Sequence, residues 1–348
     1  MILRHYFTRS ANPTVILSRS TPSLPRISKV TSSGGNRCWH KDIHEMKYLS
    51  NLNNYKPHFY NNSKNSVWHR VPANRRCSVM VLLFQGDSGE LRVILTKRSR
   101  QLKSFSGHVS LPGGKVDFGL ESEFECARRE MEEEIGISKD DDYLWENFGY
   151  RVTQLTTLPT YLARTFLAVS PCVGFVQWKE GVERHIGTVL NPGESSSIFS
   201  VPLKDFLRGE MKECLKQSFI KTKWGGLPWN LRSFIFPVSN DNEVSWLREV
   251  EDLSSEDETH DDHEMGFRTR NCWGLTANIL HDVAQIVYGG NSQILGEEDL
   301  IFTLWNNGQI QSKERSEFEK KLFNNTKGCS FGEVMSKEEF NSLKNLYN

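Results

Sequence analysis

A helix with two chemically opposed faces constrains the fold of this chain most. Residues 122–135 read SEFECARREMEEEI and follow a Pro-Gly-Gly turn at 112–114. An α-helix turns by about 100° per residue, so apolar residues spaced i, i+3 and i+4 share one side. The apolar residues with this spacing are Phe124, Ala127, Met131 and Ile135. The segment is therefore predicted to be a helix that buries one stripe against a second layer of structure.

Apolar, β-branched runs on both sides of this helix predict the layer against which it packs. Residues 75–84 and 90–99 predict two strands joined by the turn sequence QGDSG. Further strand-like runs lie at 161–176, 196–203 and 232–238. The apolar spacing over residues 275–288 predicts another buried helix. Together these elements predict the α/β class, with a mixed β-sheet sandwiched between helices (α/β/α).

Composition argues against several classes of function. Lys and Arg number 43 and so do Asp and Glu, whereas binding to a nucleic-acid polymer rests on an excess of basic residues. The longest apolar runs, such as residues 78–84, are far shorter than the roughly 20 residues of a membrane-spanning helix. The seven cysteines form no CxxC pair, so neither a zinc site nor a disulfide framework is predicted.

The two ends of the chain differ in composition from its centre. Residues 1–50 are basic and rich in Ser and Thr, which predicts either an organelle-targeting segment of the mitochondrial type or a disordered tail. Residues 51–66 are polar and rich in Asn, and they predict a linker. The core domain is expected at residues 67–290, followed by a peripheral extension at 291–348.

Two insertions are expected within the core domain, near residues 207–230 and 240–270. The first mixes basic residues with two tryptophans. Within the second, residues 249–264 hold nine acids and no Lys or Arg. Such a charge run predicts a solvated, mobile loop, and its role is left open.

The polar side of the predicted helix carries a cluster of carboxylates. Glu130, Glu133 and Glu134 share one face, where their mutual repulsion raises at least one pKa unless a cation lies between them. Carboxylate oxygens suit Mg²⁺ or Mn²⁺. The alternative is a solvated acidic face, which is the commoner fate of Glu-rich helices. The adjacent Arg129 and the preceding Gly-Gly turn favour a metal site instead.

The same residues carry a family resemblance. The Nudix hydrolase signature requires a Gly, a Glu, an Arg-Glu pair, two further Glu, and a Gly beside an aliphatic residue. This sequence has Gly114, Glu121, Arg129, Glu130, Glu133, Glu134, Gly136 and Ile137. The spacing matches from Glu121 onward, and the stretch from Gly114 to Glu121 is one residue longer than the general pattern. The resemblance implies the Nudix fold and hydrolysis of a nucleoside diphosphate linked to another group.

A second motif resembles the coenzyme A diphosphatase branch of that family. It is carried by Leu95, Thr96, Arg98, Ser99, Leu102, Gly107, Pro112, Gly113 and Gly114. The sequence departs from the motif at Lys103, Phe105 and Leu111, where Arg, His and Phe are usual. The resemblance is closest to the fungal peroxisomal members and implies a peroxisomal location, with a mitochondrial one indicated by the N-terminus. Coenzyme A, free, oxidised or acylated, would be the substrate.

The resemblance also implies roles for individual residues. Catalysis is expected from Glu130, Glu133, Glu134, Arg129 and Glu121, with Mg²⁺ or Mn²⁺ held by the first three. Arg129 and Glu121 are expected to fix the loop to the helix. Substrate binding is expected from Lys97, Arg98, Ser99, Lys103, Gly113, Gly114 and Lys115. The expected products are 3′,5′-ADP and 4′-phosphopantetheine or its derivative.

Two alternatives remain open at this stage. One is a sanitising diphosphatase that acts on oxidised nucleotides such as 8-oxo-dGTP, against which the basic residues at 97–103 argue. The other is a Nudix-fold binding module without activity, against which the full set of signature carboxylates argues. The preferred form of coenzyme A, the number of metal ions, the general base and the oligomeric state are not indicated.

Overall fold

The computed structural model of the chain describes residues 47–253, 260–262, 267–289 and 294–348, which all belong to one unit. The strands are β1 (Arg76–Gln85), β2 (Leu91–Arg98), β3 (Val109–Ser110), β4 (Gly113–Lys115), β5 (Tyr150–Thr157), β6 (Tyr161–Leu162), β7 (Ala168–Trp178), β8 (Ser195–Pro202), β9 (Lys216–Trp224), β10 (Leu227–Pro237), β11 (His260–Asp262) and β12 (Phe267–Trp273). The helices are α1 (Leu49–Asn54), α2 (Glu123–Ile135), α3 (Asp141–Asn147), α4 (Ser245–Arg248), α5 (Gly274–Tyr288), α6 (Glu298–Asn306), α7 (Glu317–Phe323) and α8 (Lys337–Leu346).

Strand β1 is the centre of the larger sheet. It runs parallel to β7 and antiparallel to two other strands, β2 near its C-terminal end and β4 near its N-terminal end. Strand β2 continues outward to β3 and β8, whereas β5 and β6 pair with β7. Because β1 changes partner along its length, the short strand β4 with Gly113 and Gly114 lies beside the middle of the sheet.

Helices cover this sheet on both faces. Side chains alternate along β1, so Met80 and Leu82 pack with α2 while Val81 and Leu83 pack with α5. The apolar stripe of α2 enters the first of these cores, and that of α5 enters the second. The prediction of a mixed sheet between helices is therefore confirmed, and α2 is the helix that the sequence predicted.

The N-terminus of α2 is fixed by its own side chains. The Ser122 hydroxyl accepts a hydrogen bond from the Glu125 amide, and the Glu125 carboxylate accepts one from the Ser122 amide in return. This capping box satisfies amides that the first helical turn leaves without a partner. The helix therefore begins at a defined residue directly after the loop that follows β4.

Two segments expected to interrupt the core contain regular structure. Within residues 207–230, β9 and the start of β10 form a hairpin that belongs to a second sheet, in the order β11–β12–β10–β9. Part of the predicted mobile loop, His260–Asp262, is strand β11, because it pairs with β12 in spite of its acidic neighbours. Residues 254–259 and 263–264 of that loop lie outside the described residues.

Residues near both ends contribute to the interior. Residues 51–66, expected to be a linker, contain the buried side chains of Leu52 and Tyr60, which pack into two of the apolar clusters of the core. From the C-terminal extension, Leu300, Leu304 and Phe331 pack with Trp68. The predicted targeting segment lies outside the described residues up to position 46. Where the structure is described, no helix combines the length and the apolarity required to cross a membrane.

A buried ion pair joins the C-terminal helices to the start of β1. The Arg75 guanidinium lies 2.7 Å from a Glu319 carboxylate oxygen, and both side chains are almost fully buried. Arg75 also donates to the carbonyls of Ser312 and Glu314, and the second Glu319 oxygen accepts from the Ile310 amide. Removal of either partner would leave the other charge buried and uncompensated.

We expect Glu319→Ala to lower the free energy of unfolding by about 3–5 kcal/mol, the usual cost of an uncompensated buried charge. Denaturant unfolding followed by circular dichroism measures it. The control is Glu317→Ala on the same helix, whose exposed carboxylate contacts only Lys320 among the described side chains and whose loss should leave the midpoint unchanged. Equal effects of the two substitutions would contradict a structural role for the Arg75–Glu319 pair.

Candidate active site

Two adjacent glycines bring the backbone of β4 against its neighbours. A Cβ atom at Gly113 would overlap the Ser78 carbonyl of β1, and one at Gly114 would overlap the Glu130 carboxylate on α2. A side chain at Gly113 would push β4 away from β1, and one at Gly114 would displace the Glu130 carboxylate. The glycines therefore allow α2 to lie directly on β4, with its carboxylates at the turn.

Arg129 ties the loop after β4 to α2. Its Nε donates to Glu121 Oε1 at 2.8 Å, and its Nη2 donates to the Lys115 carbonyl at 2.8 Å. The other Glu121 oxygen accepts from the Asp117 amide, so the loop folds around this carboxylate. Hydrogen bonding to Glu121 raises the pKa of the Arg129 guanidinium above its ordinary value. Its Nη1 donates to Glu130 Oε1 at 2.9 Å, which fixes that carboxylate on the face toward the turn.

Glu130 and Glu134 are held away from water. Glu134 is 4% exposed; one of its oxygens accepts from the Gly113 amide at 3.3 Å and the other lies 3.8 Å from Arg98 Nη1. Burial raises the pKa of Glu134 to about 8, and burial also raises the pKa of Glu130. Glu133 differs, because its side chain is 48% exposed and faces Arg129 at 3.3 Å.

A third carboxylate, which the sequence did not single out, comes from the loop before β8. The loop is anchored twice: the Asn191 amide donates to the Glu134 carbonyl, and the Glu194 carbonyl accepts from the Ser99 amide at 2.8 Å. The negative charge of Glu194 raises the pKa of both Glu130 and Glu134. Glu194 lies 60 positions after Glu134 in the sequence, in an ordinary Asn-Pro-Gly turn, so only the fold brings it to the site.

Comparison with known proteins agrees with this geometry. A family model described as the NUDIX domain matches residues 74–220. The chain is 41% identical over 322 residues to a Saccharomyces cerevisiae protein named peroxisomal coenzyme A diphosphatase 1, covering 84% of this chain and 93% of that protein. The chain belongs to the Nudix hydrolase family. The enzyme class and the fold predicted from the signature are thereby confirmed.

Two further relatives match a smaller part of the chain. The chain is 31% identical over 214 residues to Nudix hydrolase 15, mitochondrial, of Arabidopsis thaliana, covering 62% of this chain and 59% of that protein. It is 36% identical over 130 residues to a Caenorhabditis elegans protein named a peroxisomal coenzyme A diphosphatase, covering 37% of this chain and 49% of that protein. In both cases the chain spans less than two thirds of the relative's length.

Nudix hydrolases generally need divalent metal ions, and the carboxylates of this chain fit one. Glu134 is buried, Glu130 is partly buried, and the two carboxylates repel each other, so a cation between them would offset both the desolvation and the repulsion. Mg²⁺ is commonly bound by one or two carboxylates, with water and substrate oxygens completing its shell. Among the described residues no group of three or more His, Cys, Asp or Glu side chains is arranged around one point, and Glu130, Glu133 and Glu134 remain the predicted ligands.

The residues predicted to bind substrate lie in different surroundings. Arg98 reaches the site, and its buried Nε has no hydrogen-bond partner within the part of the chain that the structure describes. Lys97 and Ser99, its neighbours, are buried. Lys103 and Lys115 are exposed. Of the predicted cations, Arg98 is thus the one that the structure brings to Glu134, and its unpaired donor fits an anionic ligand.

An apolar cavity of about 270 Å³ opens beside these carboxylates. Arg98 and Gly113, which both contact Glu134, are part of its wall. Much of the remaining wall is apolar or aromatic, including Leu111, Leu162, Trp229, Leu231, Trp273 and Ile279. The cavity can therefore accommodate an organic group attached to an anion held at Arg98. The sequence did not indicate it, because its residues come from nine separate helices and strands and from the segments that connect them.

The raised pKa of Glu134 predicts a pH dependence of stability in the metal-free Nudix hydrolase. Its pKa is about 8 in the folded protein against an ordinary value of 4.5, so the folded state binds the extra proton. The contribution of this proton to the free energy of unfolding is complete below the pKa of Glu134 in the unfolded state, and it is lost as pH rises through about 8. Wild type should lose stability relative to Glu134→Gln between pH 5 and pH 9, by on the order of 2–4 kcal/mol.

Thermal and urea unfolding in the presence of a metal chelator, at each pH, measure this difference. Glu133→Gln, which removes a half-exposed carboxylate one position away, is the matched control and should run parallel to wild type. A constant difference between wild type and Glu134→Gln across this pH range would contradict the burial of an uncompensated carboxylate.

Proposed function

We propose that this Nudix hydrolase cleaves the diphosphate bond of coenzyme A and of its oxidised or acylated derivatives. The products would be 3′,5′-ADP and 4′-phosphopantetheine or the corresponding derivative. The observation that carries the proposal is the apolar cavity beside Glu134, whose wall includes Arg98, and the Nε of Arg98 has no hydrogen-bond partner among the described residues. A diphosphate at Arg98 would leave its attached organic group in that cavity. The relatives named coenzyme A diphosphatases support the same substrate.

The residues at the site would have separate roles in substrate binding and catalysis. Arg98 would bind the diphosphate by charge-assisted hydrogen bonds, and the Gly113 amide and Arg129 would hold Glu134 and Glu130 in place. Mg²⁺ or Mn²⁺ at Glu130 and Glu134 would neutralise diphosphate charge and make water a better nucleophile. Glu194 would accept the proton of the attacking water, because Glu130 and Glu134 are committed to the cation.

For location, we propose the peroxisome. The yeast, worm and mouse relatives that support the substrate are each named as peroxisomal, whereas the mitochondrial alternative is supported by one plant relative. Microscopy of a fluorescent fusion of the full chain with peroxisomal and mitochondrial markers distinguishes the two.

The substrate proposal predicts a clear order of specificity. With Mg²⁺, wild type should hydrolyse coenzyme A to 3′,5′-ADP with a higher kcat/KM than 8-oxo-dGTP. Glu134→Gln should lower kcat/KM by about 100-fold or more, the usual effect of removing a group that stabilises the transition state electrostatically. Chromatography of the nucleotide products measures both.

Glu132→Gln is the control on the same helix, because that carboxylate bonds Ser138 and Lys139 on the outer side and should be dispensable. A preference for 8-oxo-dGTP would favour a nucleotide-sanitising enzyme. An absence of turnover with either substrate would favour a binding module.

A further inference from the structure

The hairpin of β9 and β10 forms part of a second, larger cavity, which we call the basic cavity. Side chains alternate along a strand, so Phe219, Lys221 and Lys223 lie on one face of β9. Their cross-strand neighbours on β10 are Arg232, Asn230 and Pro228 respectively. All six residues line the basic cavity, whose volume is about 850 Å³. The register of the hairpin therefore builds one wall of the cavity from three cross-strand pairs.

This wall is positively charged. Arg208 also lines the basic cavity, and within the described residues Arg208, Lys221 and Lys223 make no ion pair with an acidic side chain. Arg232 stacks over the Phe219 ring at 5.2 Å and donates to Asn278 Oδ1 at 3.0 Å. Four cationic side chains thus face the same space, and three of them have no ion-pair partner in the described part of the chain.

Two partly buried acids in the same cavity offset these cations only in part. Asp282 accepts a hydrogen bond from the Tyr161 hydroxyl at 2.7 Å, and Glu297 accepts one from the Leu162 amide at 2.9 Å. Burial raises the pKa of Asp282 to about 6 and that of Glu297 to about 8, so Glu297 is mostly neutral at pH 7. The balance stays positive even when a terminal carboxylate at Asn348, which also lines the cavity, is counted.

The basic cavity adjoins the apolar cavity of the candidate active site. Trp229, Asn278 and Glu297 line both. At its other side the apolar cavity is lined by Arg98 and Gly113, the residues that contact Glu134. A ligand that occupies the apolar cavity therefore lies between the catalytic carboxylates and the wall of Lys221 and Lys223.

We propose that the basic cavity binds a second anionic group, a phosphate or a carboxylate, that the substrate carries away from its diphosphate. The inference rests on the proposed function, because coenzyme A has such a group in its ribose 3′-phosphate and some acylated forms have one in a terminal carboxylate. The lysines and arginines would then select for substrates with a charge at both ends of the apolar cavity. A substrate with the diphosphate alone would leave them facing water.

The test compares dissociation constants for two pairs of compounds that differ by one anionic group. The first pair is coenzyme A and 3′-dephospho-coenzyme A, and the second is malonyl-coenzyme A and acetyl-coenzyme A. Calorimetric titration measures these constants, and EDTA in the buffer prevents turnover by removing divalent metal ions. In wild type the compound with the extra group should bind about 10-fold tighter or more in at least one pair, the effect of charge-assisted hydrogen bonds.

The variant Lys221→Ala/Lys223→Ala should bind the two compounds of that pair with nearly equal affinity. Both lysines are exposed, so the variant is expected to fold, which its thermal unfolding checks. The control Lys212→Ala/Lys216→Ala removes the same charge from exposed positions that do not line the basic cavity, and it should keep the ratio. The pair that shows the effect identifies whether phosphate or carboxylate is recognised.

Two outcomes overturn the inference. One is that wild type binds the two compounds of each pair with equal affinity. The other is that the ratio of dissociation constants is the same in wild type and in Lys221→Ala/Lys223→Ala. Hydrolysis of coenzyme A by wild type with Mg²⁺, measured alongside, separates this inference from the proposed function. Turnover without lysine-dependent discrimination overturns only the inference that the basic cavity binds a second anionic group. Lysine-dependent discrimination without turnover overturns the proposed hydrolysis alone.

Discussion

The ion pair between Arg129 and Glu121 is the interaction on which the candidate active site depends. It joins the loop after β4 to the middle of α2, and the same guanidinium holds Glu130 against Gly114. Without it the loop would keep the hydrogen bond from Arg129 to the Lys115 carbonyl but would lose the carboxylate around which it folds, and the capping box at Ser122 orders only the first turn of the helix. The position of Glu134 then follows from the packing of the same helix on β1, which brings its carboxylate to the Gly113 amide.

The cost of this arrangement is electrostatic. Glu130 and Glu134 are buried together with the charge of Glu194 nearby, and the pKa values of Glu130 and Glu134 rise in consequence. Arg129 pairs with Glu130 at 2.9 Å, whereas Arg98 lies 3.8 Å from Glu134 and keeps a buried nitrogen without a partner among the described residues. A divalent cation bound together with a diphosphate, as we propose, would stabilise such a site.

The sequence revealed those parts of the molecule that are encoded locally. The strands β1 and β2 and the helices α2 and α5 follow from the spacing of apolar residues along one segment, and they lie where this spacing placed them. The signature glutamates share a helix, so their common face could also be deduced. Its sides differ in burial, however: Glu134 is enclosed and Glu133 is half exposed, because only the first lies under β4.

Features built from distant segments could not be deduced in this way. Glu194 reaches the site through a loop anchored to Ser99, and the apolar cavity combines β3 and β4 with β10 and the start of α5. Strand β11 was not predicted, because the charge pattern of the acid-rich segment indicates a loop. The strand forms by pairing with β12, which is distant information for a local pattern. Likewise, the asparagines of residues 51–66 obscured the buried Leu52 and Tyr60.

The most direct test of the central claim, that Glu134 and Glu130 form a buried cation site, is the proton release that accompanies Mn²⁺ binding. Calorimetry at pH 7 in two buffers of different ionisation enthalpy measures this proton count. Because the pKa of Glu134 is about 8 without a cation, wild type should release close to one proton per Mn²⁺ bound. Glu134→Gln should bind Mn²⁺ more weakly and release almost none. Equal affinity and equal proton release in the two proteins would contradict the account.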